Sequence, residues 1–234
     1  MSSPVLSAAV AKTLRELRLR YRADLAPLTI RSYPLQVLQV TDLEPLLKGR
    51  DPFAEVENFP FWVKLWEAAL VLADLLAAQP QDPPRRILEL GAGLGVPGLA
   101  AAAAGHQVTL SDYEPHILDF QRVSAAASGV GERVEHLMLD WLKPPPDLPP
   151  FDLIIGAEIL FRDEFFSPLL TIFKKYLAPG GMVYLAHDVR RKSLPRFLQL
   201  AEADFEIAVS TRRMRSDDAE FTIIVNRLQR RSSA

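Results

Sequence analysis

Short apolar runs and longer amphipathic stretches alternate along the chain from Arg86 onward. The runs ILEL (87–90), QVTLS (107–111), RVEHLML (133–139), DLIIGA (152–157) and MVYLAH (182–187) read as strands. The stretches 96–104, 115–128, 163–177 and 193–202 read as helices. Pro97 and Pro115 fall in first turns, where a missing N–H costs nothing. APGG (178–181) closes the third helix, and KPPPDLPP (143–150) is a rigid connector. Two further strands, FEIAVS (205–210) and EFTIIVN (220–226), are joined only by the polar MRSDDA. Strand–helix alternation implies βαβ units and right-handed crossovers, hence a parallel sheet. With no helix before it, the seventh strand must run antiparallel to its neighbour. The expectation is an α/β fold with a doubly wound, seven-stranded, mostly parallel sheet.

The chain before Arg86 is patterned differently. Leu6, Val10, Leu14, Leu17 and Tyr21 form one stripe of a helix over 5–22. That segment is basic and also resembles a transit peptide, but Glu16 counts against a targeting role. Residues 28–47 alternate between prolines and read as an edge hairpin or extended arm, and 49–60 as a loop. From Trp62 to Ala78 the period is helical, with Leu65, Ala69, Leu72 and Leu76 on one face. The organisation is therefore an N-terminal helix and arm (1–60) packed on a core domain (61–228), followed by a basic tail (229–234).

Composition narrows the function. The 234 residues carry 27 Lys+Arg and 29 Asp+Glu, a net charge of −2, which disfavours a nucleic-acid partner. The absence of Cys excludes a disulfide scaffold, a thiolate zinc site and a Cys nucleophile, and suits a reducing compartment. No His/Asp/Glu cluster reads as a metal site. The least charged stretch, Leu90 to Gly105, is too short and glycine-rich for a membrane span. A cytoplasmic monomer is the expectation, since a domain of this length needs no staple.

The chemistry is carried by ILELGAGLGVPGLAAA (87–102), where a strand runs through Gly91, Gly93 and Gly95 into a helix. Such a turn lets a ligand touch backbone at the carboxyl edge of the first strand. It lacks the Gly-Lys-Ser/Thr end of a phosphate loop. A dinucleotide fingerprint can be read as Gly93, Gly95 and Gly98, which keeps a dehydrogenase as an alternative. Asp112, 21 residues beyond Gly91, ends the second strand, where a carboxylate can accept from both ribose hydroxyls or cap the next helix. Asp140 and Trp141 end the third strand.

E-L-G-A-G-L-G resembles motif I of the class I, seven-β-strand, S-adenosyl-L-methionine-dependent methyltransferases. The resemblance implies a Rossmann-like methyltransferase fold with that cofactor and no metal. It places Gly91, Ala92, Gly93 and Gly95 beneath the cofactor's amino-acid part, with Glu89 positioning that end. It sets Asp112 and Tyr113 at the ribose, and Asp140 and Trp141 at the adenine. Glu158-Ile-Leu-Phe161 is similar to the Asp/Glu-x-x-Tyr/Phe signature of the family-16 protein methyltransferases, largely lysine methyltransferases. Trp66 matches the Trp that lines their cofactor pocket, although Glu67 stands where Pro is common, and Ala157 matches a further cofactor contact. The resemblance covers about residues 60–190 and implies a protein substrate. Under it, Glu158 holds the incoming ammonium and Phe161 walls the channel, while Trp62 either joins that wall or is core. His187-Asp188 borders the acceptor side or is structural. Arg190–Lys192 and Arg212–Arg215 are solvated surface or dock an acidic protein. The alternatives are a small-molecule or RNA methyltransferase and a non-catalytic partner protein on the same fold.

Overall fold

The computed structural model describes residues 6–47, 60–79, 83–216 and 219–231. Helix α1 (Ala8–Arg20) is followed by β1 (Ala23–Ile30), β2 (Tyr33–Val40) and the short α2 (Glu44–Leu47). After a single 3₁₀ turn, Phe61–Val63, come α3 (Glu67–Ala77), β3 (Arg86–Glu89), α4 (Val96–Ala103), β4 (Gln107–Asp112), α5 (Pro115–Ala127) and β5 (Val134–Met138). Strand β6 (Phe151–Ala157) leads through a second short turn to α6 (Phe166–Tyr176) and β7 (Leu177–Asp188). The chain ends with α7 (Leu194–Ala201), β8 (Phe205–Ser216) and β9 (Ala219–Arg230).

The main sheet has seven strands in the order β5-β4-β3-β6-β7-β9-β8. Its first five strands are parallel, and β9 enters between β7 and β8 antiparallel to both. One apolar layer unites α3 and α4 with Ile87, Leu153 and Ile155. The other packs α6 and α7 through Leu169, Phe173 and Phe197 against Leu88, Ile154 and Leu185. Helix α3 buries Ala68, Leu72, Ala73, Leu76 and Ala77, each leucine contributing about 1.5–3 kcal/mol.

The N-terminal segment forms its own layer. Strands β1 and β2 pair only with each other, from Ala23↔Val40 to Ile30↔Tyr33, so the expected edge hairpin is a separate two-stranded sheet. The loop expected over 49–60 lies outside the described residues except for Pro60. Leu14, Leu17 and Tyr21 of α1 pack with Leu38, Phe120 and Val123.

Among the boundaries that differ from the sequence reading, three bear on the architecture. Helix α3 starts at Glu67, not Trp62, because Lys64 and Trp66 are extended. APGG belongs to β7: Leu177 pairs with Phe151 and Met182 with Leu153, so five residues of β7 advance against two of β6, and the excess bulges at Gly180 (φ +73°). The hairpin β8–β9 is longer than expected, with Ser216 still paired to Ala219. It absorbs the start of the supposed basic tail, for Gln229 and Arg230 are strand. Arg230 donates from Nη2 to the carbonyls of Lys174 and, at 2.9 Å, Leu177. A cation thus satisfies carbonyls that the end of α6 leaves without helical partners.

Candidate functional site

The strand order reverses direction at β3 and β6, the switch point where open α/β sheets bind ligands. The residues singled out in the sequence gather along this carboxyl edge. The glycine loop leaves β3, Asp112 ends β4, Asp140 and Trp141 follow β5, Ala157 ends β6, and Glu158 and Phe161 follow it.

The glycine loop is held from several sides. Gly91 and Gly95 have φ of +58° and +72°, which L side chains rarely adopt. A Cβ at Gly91 would lie 3.1 Å from Trp141 Cζ2, and one at Gly95 2.8 Å from Leu110 Cδ1. The Gly93 N–H donates to Asp112 Oδ2 at 2.8 Å, and Gln121 Nε2 donates to the Gly93 carbonyl at 2.9 Å. Asp112 Oδ1 accepts from the Tyr113 N–H at 2.8 Å. Burial raises the Asp112 pKa, against the lowering effect of these N–H bonds. Its carboxylate keeps lone pairs free beyond those bonds. Tyr113 is exposed beside it. Asp140 caps the next turn, accepting from the Leu142 N–H at 2.9 Å.

Glu89 sits beneath the loop, 2% exposed, its Oε2 accepting from the Gly98 N–H at 2.8 Å. Burial pushes its pKa up to about 8. Gly98 serves this packing, since a Cβ there would lie 2.7 Å from Glu89 Oε2 and 2.4 Å from Leu110 Cδ2. An acid whose pKa rises on folding loses stability as pH climbs from its unfolded value toward the folded one. The wild-type protein is therefore expected to lose stability between about pH 4.5 and 8 on account of this group. Glu89→Gln should flatten that part of the profile in urea unfolding; parallel wild-type and variant profiles would refute the assignment.

Beyond β6, a cleft of about 500 Å³ is lined by Trp66, Glu158, Phe161, Asp188, Arg191 and Phe221, among others. Trp66 Nε1 donates to the Phe61 carbonyl at 3.0 Å, and Lys64 Nζ lies 4.4 Å from the centroid of the Trp66 ring. Phe161 is half exposed and forms an aromatic trio with Trp141 and Phe165, at centroid distances of 6.3 and 5.4 Å. Trp141 thereby joins the two halves of the site, lying against Gly91 on one side and Phe161 on the other. Glu158 is one of two non-glycine residues with positive φ among those described, at +58°. Its N–H donates to the Ala186 carbonyl at 2.9 Å, which locks the turn to β7. Its carboxylate accepts from the Asp188 N–H at 2.6 Å and from the Arg191 guanidinium.

Two alternatives that the sequence leaves open are decided here. Trp62 does not wall the channel. Its ring packs with Tyr21, His116 and Phe120, at 5.9, 5.1 and 4.9 Å, and its backbone stands over the glycine loop. A Cβ at Gly93 would lie 3.5 Å from the Trp62 carbonyl oxygen. His187 does not border the cleft either. It is fully buried, and burial drops its pKa to about 3, so the ring is neutral. Asp188 does line the cleft, held by Arg190 through two contacts of 2.8 Å. The sequence reading missed Arg191, inside a cluster that reads equally well as surface. It missed Gln121, which looks like one more polar helix residue. It also missed Phe221, on a strand beyond the recognised motifs.

Among the described residues, no group of three or more His, Cys, Asp or Glu is arranged to hold a metal, and no helix is long and apolar enough to cross a membrane.

Comparison with known proteins agrees with this geometry. EEF1A lysine methyltransferase 3 of Mus musculus is 32% identical over 165 residues, covering 65% of this chain and 71% of that protein. Protein N-lysine methyltransferase METTL21A of Xenopus tropicalis is 30% identical over 148 residues, 62% of this chain and 68% of that protein. Histone-arginine methyltransferase METTL23 of Mus musculus is 35% identical over 139 residues, 55% of this chain and 54% of that protein. In fold, the chain resembles a SAM-dependent methyltransferase from Agrobacterium tumefaciens, with a TM-score of 0.63 at 17% identity over 88% of this chain and 70% of that one. It also resembles a ribosomal protein L11 methylase from Lactobacillus delbrueckii, with a TM-score of 0.56 at 23% identity over 72% of this chain and 81% of that one. A lysine methyltransferase family model matches residues 57–204, the stretch that holds both the glycine loop and Glu158-Ile-Leu-Phe161, and the chain belongs to that family.

Proposed function

We propose that this chain transfers a methyl group from S-adenosyl-L-methionine to the side-chain amine of a lysine in a protein substrate. The observation that carries the reading is the cleft between Trp66, Phe161 and Glu158, joined to the glycine loop through Trp141. The residues present fit the cofactor: a backbone turn that Gly91, Gly93 and Gly95 hold at positive φ, and the half-buried carboxylate of Asp112 at its rim.

In this reading the backbone of Gly91, Ala92, Gly93 and Gly95 receives the cofactor's amino-acid end, and Glu89 braces that loop through Gly98. Asp112 accepts from the ribose hydroxyls, with Tyr113 beside it. Asp140 and Trp141 border the adenine, and Ala157 lies at the end of β6 between the two halves. The bound cofactor supplies an activated methyl on a positive sulfur, and the reaction is a direct displacement. The protein's task is alignment and exclusion of water. Phe161 presents a ring face to the incoming side chain, and Trp66, expected at the cofactor, lines the same cleft. Glu158 keeps lone-pair capacity for an N–H of the amine and so orients it.

The test is transfer of labelled methyl groups to a fractionated lysate, with mass spectrometry of the product. A polypeptide band yielding methyl-lysine supports the reading. Label in a low-mass or nuclease-sensitive fraction overturns it, as does methyl-arginine as the product.

A further inference from the structure

The carboxylate best placed to meet an amine is already bonded. Glu158 Oε1 accepts from the Asp188 N–H at 2.6 Å, and Oε2 accepts from Arg191 Nε at 3.0 Å and from its Nη2. A carboxylate offers about four lone-pair positions, so three donors leave about one. The Glu158 side chain is 8% exposed and that of Arg191 28%, so the two charges cancel in a partly desolvated contact.

The other charged groups facing the cleft do not restore a negative charge. Lys64 pairs with Glu67 at 3.6 Å and Arg190 with Asp188 at 2.8 Å. Lys192 lines the same cleft without an ion-pair partner among the described residues. His187, adjacent in sequence, is neutral. An acceptor that reaches Glu158 therefore meets a subsite of zero to positive charge.

That sign bears on the chemistry. A lysine ammonium has no lone pair, and its unperturbed pKa is ~10.4. A bare carboxylate would hold the ammonium and raise that value further. A carboxylate cancelled by a guanidinium can still accept one N–H bond from a free amine, while nearby cations disfavour the charged form.

We propose that Arg191 is a positioning residue for methyl transfer: by pinning and neutralising Glu158, it makes the subsite take the lysine side chain as the free amine. The inference rests on the reading of the cleft as a lysine acceptor site. The ammonium gives its proton to water before transfer. The nitrogen lone pair then forms the N–C bond as the C–S bond breaks, and the sulfur leaves as a neutral thioether.

The test measures single-turnover transfer against pH, using labelled S-adenosylmethionine and the lysate fraction that the wild type labels. Arg191→Met exposes the Glu158 charge. Its rate at pH 7.5 should fall about tenfold, with the rising limb displaced about one unit to higher pH. KM for the protein fraction should stay level or fall. Adding Glu158→Gln to Arg191→Met removes the uncompensated charge and should return the limb to its wild-type position, whatever its height. Arg191→Lys should keep the limb near the wild type. Cofactor binding by each variant shows that it is folded. Profiles that superimpose after scaling would overturn the role of Arg191, as would a limb that stays displaced in the double variant. If the wild type labels no lysine, the reading of the cleft falls as well, which separates the two failures.

Discussion

Asp112→Ala is expected to weaken S-adenosylmethionine binding about a hundredfold. Hydrogen bonds to a charged group contribute about 1.5–3 kcal/mol each, and two ribose hydroxyls would lose their acceptor. At 1.4 kcal/mol per tenfold, even the lower figure for the pair gives that loss. The structure adds a second route to the same outcome, because Asp112 Oδ2 also accepts from the Gly93 N–H at 2.8 Å. Removing it frees a loop donor as well as a ribose partner. Asp112→Asn keeps the shape and one oxygen for that N–H, so its loss should be intermediate. Titration calorimetry on the folded variants decides the matter, and a change under about threefold for alanine would remove Asp112 from the site.

Glu158→Ala should give the opposite pattern. Cofactor affinity should stay within about twofold, because no bond of Glu158 reaches the glycine loop. Transfer should fall about a hundredfold or more, the scale on which loss of an orienting partner is felt. The variant also leaves the Asp188 N–H and the Arg191 guanidinium without their acceptor in a partly buried turn, which adds a stability loss of about 1–3 kcal/mol. Rates must therefore be compared below the unfolding midpoint of the weaker protein. Undiminished turnover with a normal cofactor constant would exclude Glu158 from the acceptor site.

The central strands β3, β6 and β7 of the parallel sheet could be read from the sequence because they are largely buried on both faces. ILEL, DLIIGA and MVYLAH are short, mostly apolar runs, each bordered by or ending near a glycine. The antiparallel hairpin could not be bounded in the same way. Residues 211–216 are held by cross-strand pairing, although Arg212, Arg213 and Arg215 look like a polar turn. Glycine loop, Asp112 and Trp141 are recognisable because each lies at or just beyond a strand end, and strand ends share one edge in a parallel sheet. The ion pair between Glu158 and Arg191 joins residues 33 apart, and no local spacing announces it. The same holds for Gln121, 28 residues from the Gly93 carbonyl to which it donates. Trp62 stays ambiguous in the sequence because an aromatic side chain near a site reads alike whether it lines a channel or fills a packing gap.

The cluster of Tyr21, Trp62, His116 and Phe120 has a consequence for how such a chain can change over generations. The matched family segment begins at residue 57, yet Tyr21 of the N-terminal layer presses on Trp62, whose backbone lies over Gly93. The loop's rigidity is thus partly set by residues outside the shared segment. Substitution at Tyr21 or Leu17 gives an inherited means of retuning the loop through packing, while Gly91, Asp112 and Glu158 stay untouched.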